Sequence, residues 1–176
     1  MTLASGYCRV SAGDYHACMS IQDHGPRPNA FDIETATVQN ENYRVVAWTG
    51  KYLQVTLMSI PAGESIGLEV HPATDQFLRI DAGSGRCVMG SEKDALDFDE
   101  KVAAGWSIQV PAGTWHDVIN TGTEPLRLYT VYAPSHHAAG AVQPTQEDAK
   151  REGESGADEP PEWTAQHGSA VPDEDG

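Results

Sequence analysis

Cysteine is scarce in this sequence and long apolar runs are missing, and each shortage excludes a class of protein. The three cysteines, Cys8, Cys18 and Cys87, form no CxxC pair. We therefore expect reduced thiols rather than a disulfide framework, with a metal cluster of Cys8, His16 and Cys18 as the alternative. No run of about 20 apolar residues is present to span a membrane. The first residues also lack the basic and apolar regions of a secretory signal, so we expect a cytoplasmic protein.

Positive charge is also scarce. The 176 residues include 26 acidic but only 11 basic side chains, which gives a formal net charge of −15. This balance argues against nucleic acid and anionic membranes as partners, because both repel a strongly acidic protein. Residues 141–176 hold 10 of the acidic and 2 of the basic side chains, so about half of the net charge lies in this short segment.

The same C-terminal segment divides into two parts. Pro144 to Glu152 fits a short helix, with Thr145 as the N-cap and acidic residues in the first turn. Residues 154–176 are rich in Glu, Asp, Gly and Pro and have few aliphatic side chains. Such a composition buries too little apolar area to offset the entropy of ordering the chain, so it predicts a disordered acidic tail.

Between the two termini the pattern is that of an all-β domain. Short runs of β-branched and aromatic residues, such as Tyr43–Thr49 and Tyr52–Ile60, alternate with turns that contain Gly or Pro. We expect at least eight strands, which fits a jelly-roll barrel, although the pattern alone does not separate that barrel from another β-sandwich. The predicted organisation is an irregular N-terminal arm, a barrel, a short helix and the tail: residues 1–30, 31–140, 141–153 and 154–176.

Two stretches framed by glycines carry the candidate chemistry. The first runs from Gly63 through Glu69, His71 and Gln76 to Gly83. Side chains two residues apart in a strand share one face, so a strand over Ser65–His71 would present Glu69 and His71 together.

The second stretch contains Gly105, Pro111, Gly113, His116 and Asn120. If it forms a neighbouring strand, His116 would reach the same point from the other side. Carboxylates and imidazoles converging in this way are typical of a transition-metal site.

These stretches resemble the paired motifs of the cupin superfamily, and the resemblance covers roughly residues 43–134. Every fixed position of the second motif is matched here, ending at His116 and Asn120. The first motif, glycine, five residues, His-x-His, four residues, Glu, six residues and glycine, is matched in spacing but altered in its ligands. The resemblance implies a single-domain cupin barrel, the double-stranded β-helix form of the jelly roll, with one metal ion inside.

The altered first motif changes which atoms would hold the ion. Glu69 takes the place of the first histidine, His71 that of the second, and Gln76 that of the glutamate. With His116 the resemblance implies two imidazoles, one carboxylate and one amide oxygen around one divalent transition metal: Zn, Mn, Ni or Fe. The formal charge of the ligand set remains minus one, because the carboxylate has moved and an amide has replaced it.

Aromatic residues near the implied site are candidate pocket walls. We expect Trp106, Tyr129 and Tyr132 to contact a substrate, with core packing as the alternative for each of them. His136 and His137 follow the last predicted strand, where they either cover the mouth of the barrel or lie on the surface.

Three functions fit a small metal-binding cupin. The first is a metal-dependent isomerase or lyase acting on a small sugar-like or keto-acid molecule. Its catalytic base would be Glu69, if it releases the metal, or a metal-bound hydroxide. The second is a non-haem Fe(II) dioxygenase, because two histidines and one carboxylate are also the ligands of many such sites. The third is a non-catalytic metal- or ligand-binding module.

We also expect a homodimer. The strands supply more aromatic side chains than a small barrel can enclose, soluble monomers avoid large exposed apolar patches, and cupin barrels commonly pair. The aromatic residues concerned are Tyr43, Trp48, Tyr52 and Phe77.

Overall fold

The computed structural model describes residues 21–165, and within them two antiparallel sheets form a barrel. The helices are α1 (Ile33–Gln39) and α2 (Gln146–Ser155). The strands are β1 (Arg44–Thr49), β2 (Gln54–Ile60), β3 (Asp75–Ala82), β4 (Ser84–Gly90), β5 (Phe98–Ala103), β6 (Ser107–Val110), β7 (Trp115–Asn120), β8 (Leu126–Ala133) and β9 (Val142–Gln143). The all-β barrel predicted from the strand pattern is confirmed.

The larger sheet has the strand order β6-β3-β8-β2-β1-β9, and the smaller sheet has the order β5-β4-β7. Side chains alternate between the two faces of each strand, so one face of each sheet points into the barrel. Leu78, Leu128 and Met58 from the larger sheet meet Cys87 and Val118 from the smaller one, all at most 1% exposed. Each such buried side chain contributes about 1.5–3 kcal/mol of transfer free energy, and this shared core holds the sheets together.

The first residues of the stretch predicted as barrel, 31–140, include the helix α1 rather than only β-structure. In α1 the Asp32 carboxylate caps the helix by accepting a hydrogen bond from Thr35 N at 3.1 Å. Ala36 packs with Val45 and Leu57 on the outer face of the larger sheet. The sequence IETATVQ has weak helix propensity, so the cap and this tertiary contact decide its conformation.

The predicted ligand strand Ser65–His71 is also absent as a regular strand. The structure has an irregular segment there, joined to β7 by isolated bridges at Ser65 with Ile119 and at Glu69 with His116. Gly67 lies between these two bridges with a φ of +89°, which a strand residue does not adopt. The segment therefore joins β7 through separate bridges and backbone hydrogen bonds rather than as one regular ladder.

The short C-terminal helix is confirmed. Thr145 caps α2, and the side chain of Asp148 completes a capping box with it.

The residues after α2 pack on the barrel up to residue 165. Ala165 N donates a hydrogen bond to Lys51 O at 2.6 Å, and Thr164 is buried. The structure thus differs from the predicted tail over residues 154–165, because specific hydrogen bonds to the barrel hold a segment of low hydrophobicity. Disorder stays a prediction for residues 166–176, which lie outside the described residues.

The described part of the N-terminal arm, residues 21–30, lies along β1. Asp23 accepts hydrogen bonds from Thr49 N at 2.9 Å and from Thr49 Oγ1 at 2.6 Å. Cys8, His16 and Cys18, the alternative metal cluster, lie outside the described residues. No helix within residues 21–165 combines the length and apolarity needed to cross a membrane.

Candidate metal centre

The geometry of the centre begins with His116, the second residue of β7, whose side chain is fully buried. Its Nδ1 lies 3.0 Å from Thr114 O. A carbonyl oxygen can only accept a hydrogen bond, so Nδ1 carries a proton, and in the neutral tautomer that this selects Nε2 has a free lone pair. Nε2 is buried and has no hydrogen-bond partner. A carbonyl that orients the far nitrogen of a histidine in this way is typical of metal-binding histidines.

Glu69 and His71 meet His116 from the irregular segment before β3. Glu69 Oε1 lies 3.2 Å from His71 Nε2 and 3.5 Å from His116 Nε2. One ligand atom from each of the three side chains lies within 4.8 Å of the others. Gly113 N donates to His71 O at 2.8 Å, which fixes the turn of the second motif against the first. The spacing of the two motifs thus brings these three predicted ligands together.

Gln76 faces the same interior from β3. Its Nε2 donates to Thr130 Oγ1 at 3.1 Å, while its Oε1 is buried without a hydrogen-bond partner. The amide therefore presents an unused acceptor, as its predicted role as an oxygen ligand requires.

The charge of Glu69 suits a cation. Burial acts to raise the pKa of its carboxyl group, but the contact with His71 and the positive charge of Arg44 act to lower it. The pKa of Glu69 therefore falls well below its usual range, and the group is ionised at neutral pH.

These residues fit one transition-metal ion. Glu69 Oε1 and His116 Nε2 are both acceptors, and Gln76 Oε1 is a third acceptor without a donor. Buried acceptors that face one another are costly, and a shared cation removes that cost. Imidazole nitrogen and carboxylate oxygen are ordinary ligands of zinc and of other first-row divalent metals.

His136 and His137 lie in the loop after β8, which covers the candidate metal centre. The sequence had left open whether these two histidines cover the mouth of the barrel or lie on the surface. The ring centroid of His136 lies 4.2 Å from that of His71, and 5.5 Å from that of Tyr132. His137 is only 5% exposed. Burial, followed by the charges of His137 and His71, lowers the pKa of His136 to about 3, so its imidazole is neutral at pH 7.

The three predicted substrate contacts occupy three different places. Tyr132 lies inside the barrel, with its ring centroid 5.7 Å from that of His71. Tyr129 faces the other side of β8, where it packs on the cluster under α1. The odd spacing between Tyr129 and Tyr132 puts them on opposite faces of the strand, which excludes Tyr129 from the interior site.

Trp106 lies at the far end of the barrel and is 50% exposed. Its carbonyl oxygen accepts a hydrogen bond from Ile80 N at 3.0 Å. Ile80 is four residues along β3 from Gln76, which corresponds to about 13 Å. Trp106 is therefore also excluded as a contact for a ligand at the metal centre.

Comparison with known proteins agrees with the two motifs. The family profile described as "Cupin domain" matches residues 56–132. YrkC of Bacillus subtilis (strain 168), named as an uncharacterized protein, is 54% identical over 129 residues, which are 73% of this chain and 69% of YrkC. The chain belongs to the cupin family. An uncharacterized protein of Acanthamoeba polyphaga mimivirus is 38% identical to this cupin over 112 residues, 63% of this chain and 68% of the viral protein.

A solved structure supports the barrel as well. The crystal structure of BH2720 from Bacillus halodurans matches this cupin with a TM-score of 0.74 and 51% identity, over 74% of this chain and 99% of that one. The cupin jelly-roll fold implied by the motifs is therefore confirmed.

Proposed function

We propose that this cupin is a metal-dependent enzyme of the isomerase or lyase type that acts on a small sugar-like or keto-acid molecule. The observation that carries the proposal is the convergence of Glu69, His71 and His116 within 4.8 Å, with His116 Nε2 buried and free of any hydrogen bond. These three residues would hold the ion, and Gln76 Oε1 would supply a fourth ligand. When bound, a divalent metal acts as a Lewis acid that stabilises negative charge developing on a substrate oxygen.

The surrounding residues would handle protons and exclude water. Glu69 keeps 29% of its side chain exposed, so its carboxylate is the group through which a substrate proton could leave. Burial, opposed in part by the charge of Arg44, raises the pKa of Tyr132, which keeps its phenol protonated as a hydrogen-bond donor. The neutral ring of His136 lies over His71 and separates the centre from solvent.

A second candidate function is supported by the ligand set itself. Two imidazoles and one carboxylate are the protein ligands of many non-haem Fe(II) dioxygenases. Oxygen uptake by the iron-loaded protein with a keto acid or a sugar would favour this function over the first. Isomerisation or elimination without oxygen uptake, with zinc, manganese or nickel, would favour the first.

Elemental analysis tests the shared metal centre. Purified wild-type protein should carry about one transition-metal ion per chain, and the double variant His71→Ala, His116→Ala should carry none, because two of its nitrogen ligands are gone. His24 is exposed and outside the centre, so His24→Ala is the matched control and should retain metal. Stoichiometric metal in the double variant would refute the site. Stoichiometric wild-type metal with no turnover of a broad panel of sugars and keto acids would point to the non-catalytic binding module.

A further inference from the structure

Arg44 is a buried positive charge inside the barrel. In the antiparallel ladder it lies opposite Met58, which in turn lies opposite Leu128, and Met58 and Leu128 both belong to the inner core. Residues directly opposite each other in a ladder share a face, so Arg44 points inward as well. Among the lysines and arginines of residues 21–165, Arg44 alone is buried.

This guanidinium has no acidic partner among the described residues. No carboxylate oxygen of residues 21–165 lies within 4.0 Å of its nitrogens. Its NH1 group donates to the neutral amide oxygen of Gln143 at 3.0 Å, and its Nε is buried without a hydrogen-bond partner. The charges of Glu69 and Asp158 act on it only at longer range. A buried charge without a hydrogen-bonded counter-ion is costly unless something of opposite charge binds to it.

A row of unused polar atoms connects Arg44 to the metal centre. Thr56 lies two residues from Met58 on the same face of β2, and its Oγ1 is also buried without a partner. Thr56 is opposite Thr130 in the ladder, and Thr130 Oγ1 accepts the hydrogen bond from Gln76. Arg44 Nε, Thr56 Oγ1 and Gln76 Oε1 therefore follow one another across the inner face of the larger sheet, each without a hydrogen bond.

Electrostatic effects agree with this placement. Burial has the largest effect on the pKa values of Tyr132 and His137, and the positive charge of Arg44 has the next largest effect, acting to lower both. The charge of Arg44 also acts to lower the pKa of Glu69. The geometry agrees with this: Arg44 Cζ lies 5.4 Å from the ring centroid of Tyr43, and the Tyr43 hydroxyl donates a hydrogen bond to Ile66 O in the segment that carries Glu69.

We propose that Arg44 binds the carboxylate of a small organic acid whose other end lies at the metal centre, with Thr56 Oγ1 as a further hydrogen-bonding group. This inference rests on the proposed function and narrows its substrate class from sugars or keto acids to acids. A guanidinium binds a carboxylate through two parallel hydrogen bonds, for which Nε and a terminal nitrogen provide the donors. A phosphate dianion fits less well, because Arg44 is the one buried Lys or Arg of the described chain.

Isothermal titration calorimetry with lactate and with its uncharged analogue lactamide tests the carboxylate site directly. Both metal-free protein, prepared with a chelator, and zinc-loaded protein are titrated. Wild-type protein should bind lactate at least tenfold more tightly than lactamide in both forms, because a charge-assisted hydrogen bond is worth about 1.5–3 kcal/mol. Arg44→Met should abolish this preference. Equal affinity for lactate and lactamide, or an unchanged preference in Arg44→Met, would overturn the proposal.

A second variant keeps the proposal testable if Arg44→Met does not fold, because it leaves Arg44 in place. In the wild type Gln143 Nε2 donates to Glu152 Oε2 at 2.9 Å. The double change Gln143→Glu, Glu152→Gln exchanges the two groups, retains a hydrogen bond between them and gives Arg44 an internal carboxylate. Its fold is checked by circular dichroism, because Asp158 loses its hydrogen bond from Gln143 in this variant. The folded variant should lose lactate binding, because Arg44 is already paired. Undiminished lactate binding in a folded exchange variant would count against the proposal.

Two further measurements separate this inference from its alternatives. Thr56→Val removes the unused hydroxyl while keeping the shape of the side chain, and it should weaken lactate binding without lowering the stability of the free protein.

Inorganic phosphate that binds more tightly than lactate would overturn the choice of a carboxylate. Lactate binding that persists in metal-free His71→Ala, His116→Ala would support the Arg44 site even if metal analysis refutes the proposed function. If the wild type retains metal but Arg44→Met keeps the preference for lactate over lactamide, only the Arg44 site would be overturned.

Discussion

His137 Nδ1 lies 2.8 Å from Asp158 Oδ2, and this buried contact ties the loop after β8 to the segment after α2. Asp158 Oδ1 also accepts a hydrogen bond from Ala138 N at 3.1 Å. Gln54 Oε1 holds the same loop from β2 by accepting hydrogen bonds from His136 N at 3.2 Å and His137 N at 2.9 Å. The position of His136 over His71 therefore depends on residues far away in the sequence, including an acidic residue of the C-terminal segment.

Two truncations of the C-terminal segment should show which of its residues contribute to the melting temperature. Deletion of residues 166–176 should leave the melting temperature within about 1 °C of the wild type, as expected for a terminal segment without a packing role. Deletion of residues 156–176 should lower it by about 2–12 °C, because a buried unsatisfied group costs about 1–3 kcal/mol and each kcal/mol shifts the melting temperature by about 2–4 °C in a chain of this size.

Differential scanning calorimetry provides both values. Asp158→Ala is the point variant for the same contact, and it should reproduce most of the effect of the longer deletion. Equal melting temperatures for the two truncated proteins would contradict the packing role of residues 156–165.

Acidification should destabilise the metal-free protein through the buried histidines. Burial and neighbouring charges lower the pKa of His136 from 6.5 to about 3 in the folded state. Below pH 6.5 the unfolded chain takes up a proton that the folded protein does not, so the free energy of unfolding decreases as the pH falls from 6.5 towards 3. One histidine can contribute at most about 1.4 kcal/mol for each pH unit in that window.

Urea unfolding of the metal-free protein at a series of pH values measures this slope. His136→Gln replaces the titrating imidazole with a neutral amide and leaves the hydrogen bond from the backbone N of residue 136 to Gln54 Oε1 possible. It should flatten the dependence between pH 6.5 and pH 4. Parallel curves for the wild type and the variant would show that His136 is not the source of the slope.

Gln76 should contribute less to metal retention than the histidines do. An amide oxygen is a weaker ligand than an imidazole nitrogen, so Gln76→Ala should weaken zinc binding about 10–100-fold, the range expected when a supporting group is lost. Competition with a chromophoric chelator measures the affinity. Gln109 lies on β6 with its side chain exposed, so Gln109→Ala is the control and should bind zinc as the wild type does. Unchanged affinity in Gln76→Ala would remove Gln76 from the ligand set.

The homodimer remains a prediction, and the structure changes which residues motivate it. Tyr43 is 3% exposed and belongs to the core, whereas Tyr52 is 45% exposed and available for contact. Light scattering at micromolar concentration should report about twice the chain mass of 18.9 kDa. Because the predicted dimer uses the N-terminal arm as well as the barrel faces, deletion of residues 1–30 and the substitution Tyr52→Lys should each shift the protein towards monomer. Lys101→Glu on exposed β5 should not. A monomeric mass for the wild type would refute the prediction.

The sequence predicted the barrel well because its signals are local. β-branched runs bounded by Gly and Pro mark the strands, and Thr145 followed by acidic residues marks the start of α2. Local signals misassigned α1 and the segment around Gly67, because each depends on a contact with a distant strand. The weak helix propensity of α1 gives no sign that the sheet behind it will bury Ala36.

The sequence by itself determined which residues form the candidate metal centre of this cupin, because motif spacing puts Glu69, His71 and His116 on adjoining segments. Only the tertiary structure decided what surrounds them. It turned Tyr129 away from the interior, folded His136 over His71 and left Arg44 inside the barrel without an acidic partner. Those features depend on the register between strands and on loop contacts that are distant in the chain. Such contacts arise from packing and hydrogen bonding in three dimensions, which no short-range sequence pattern encodes.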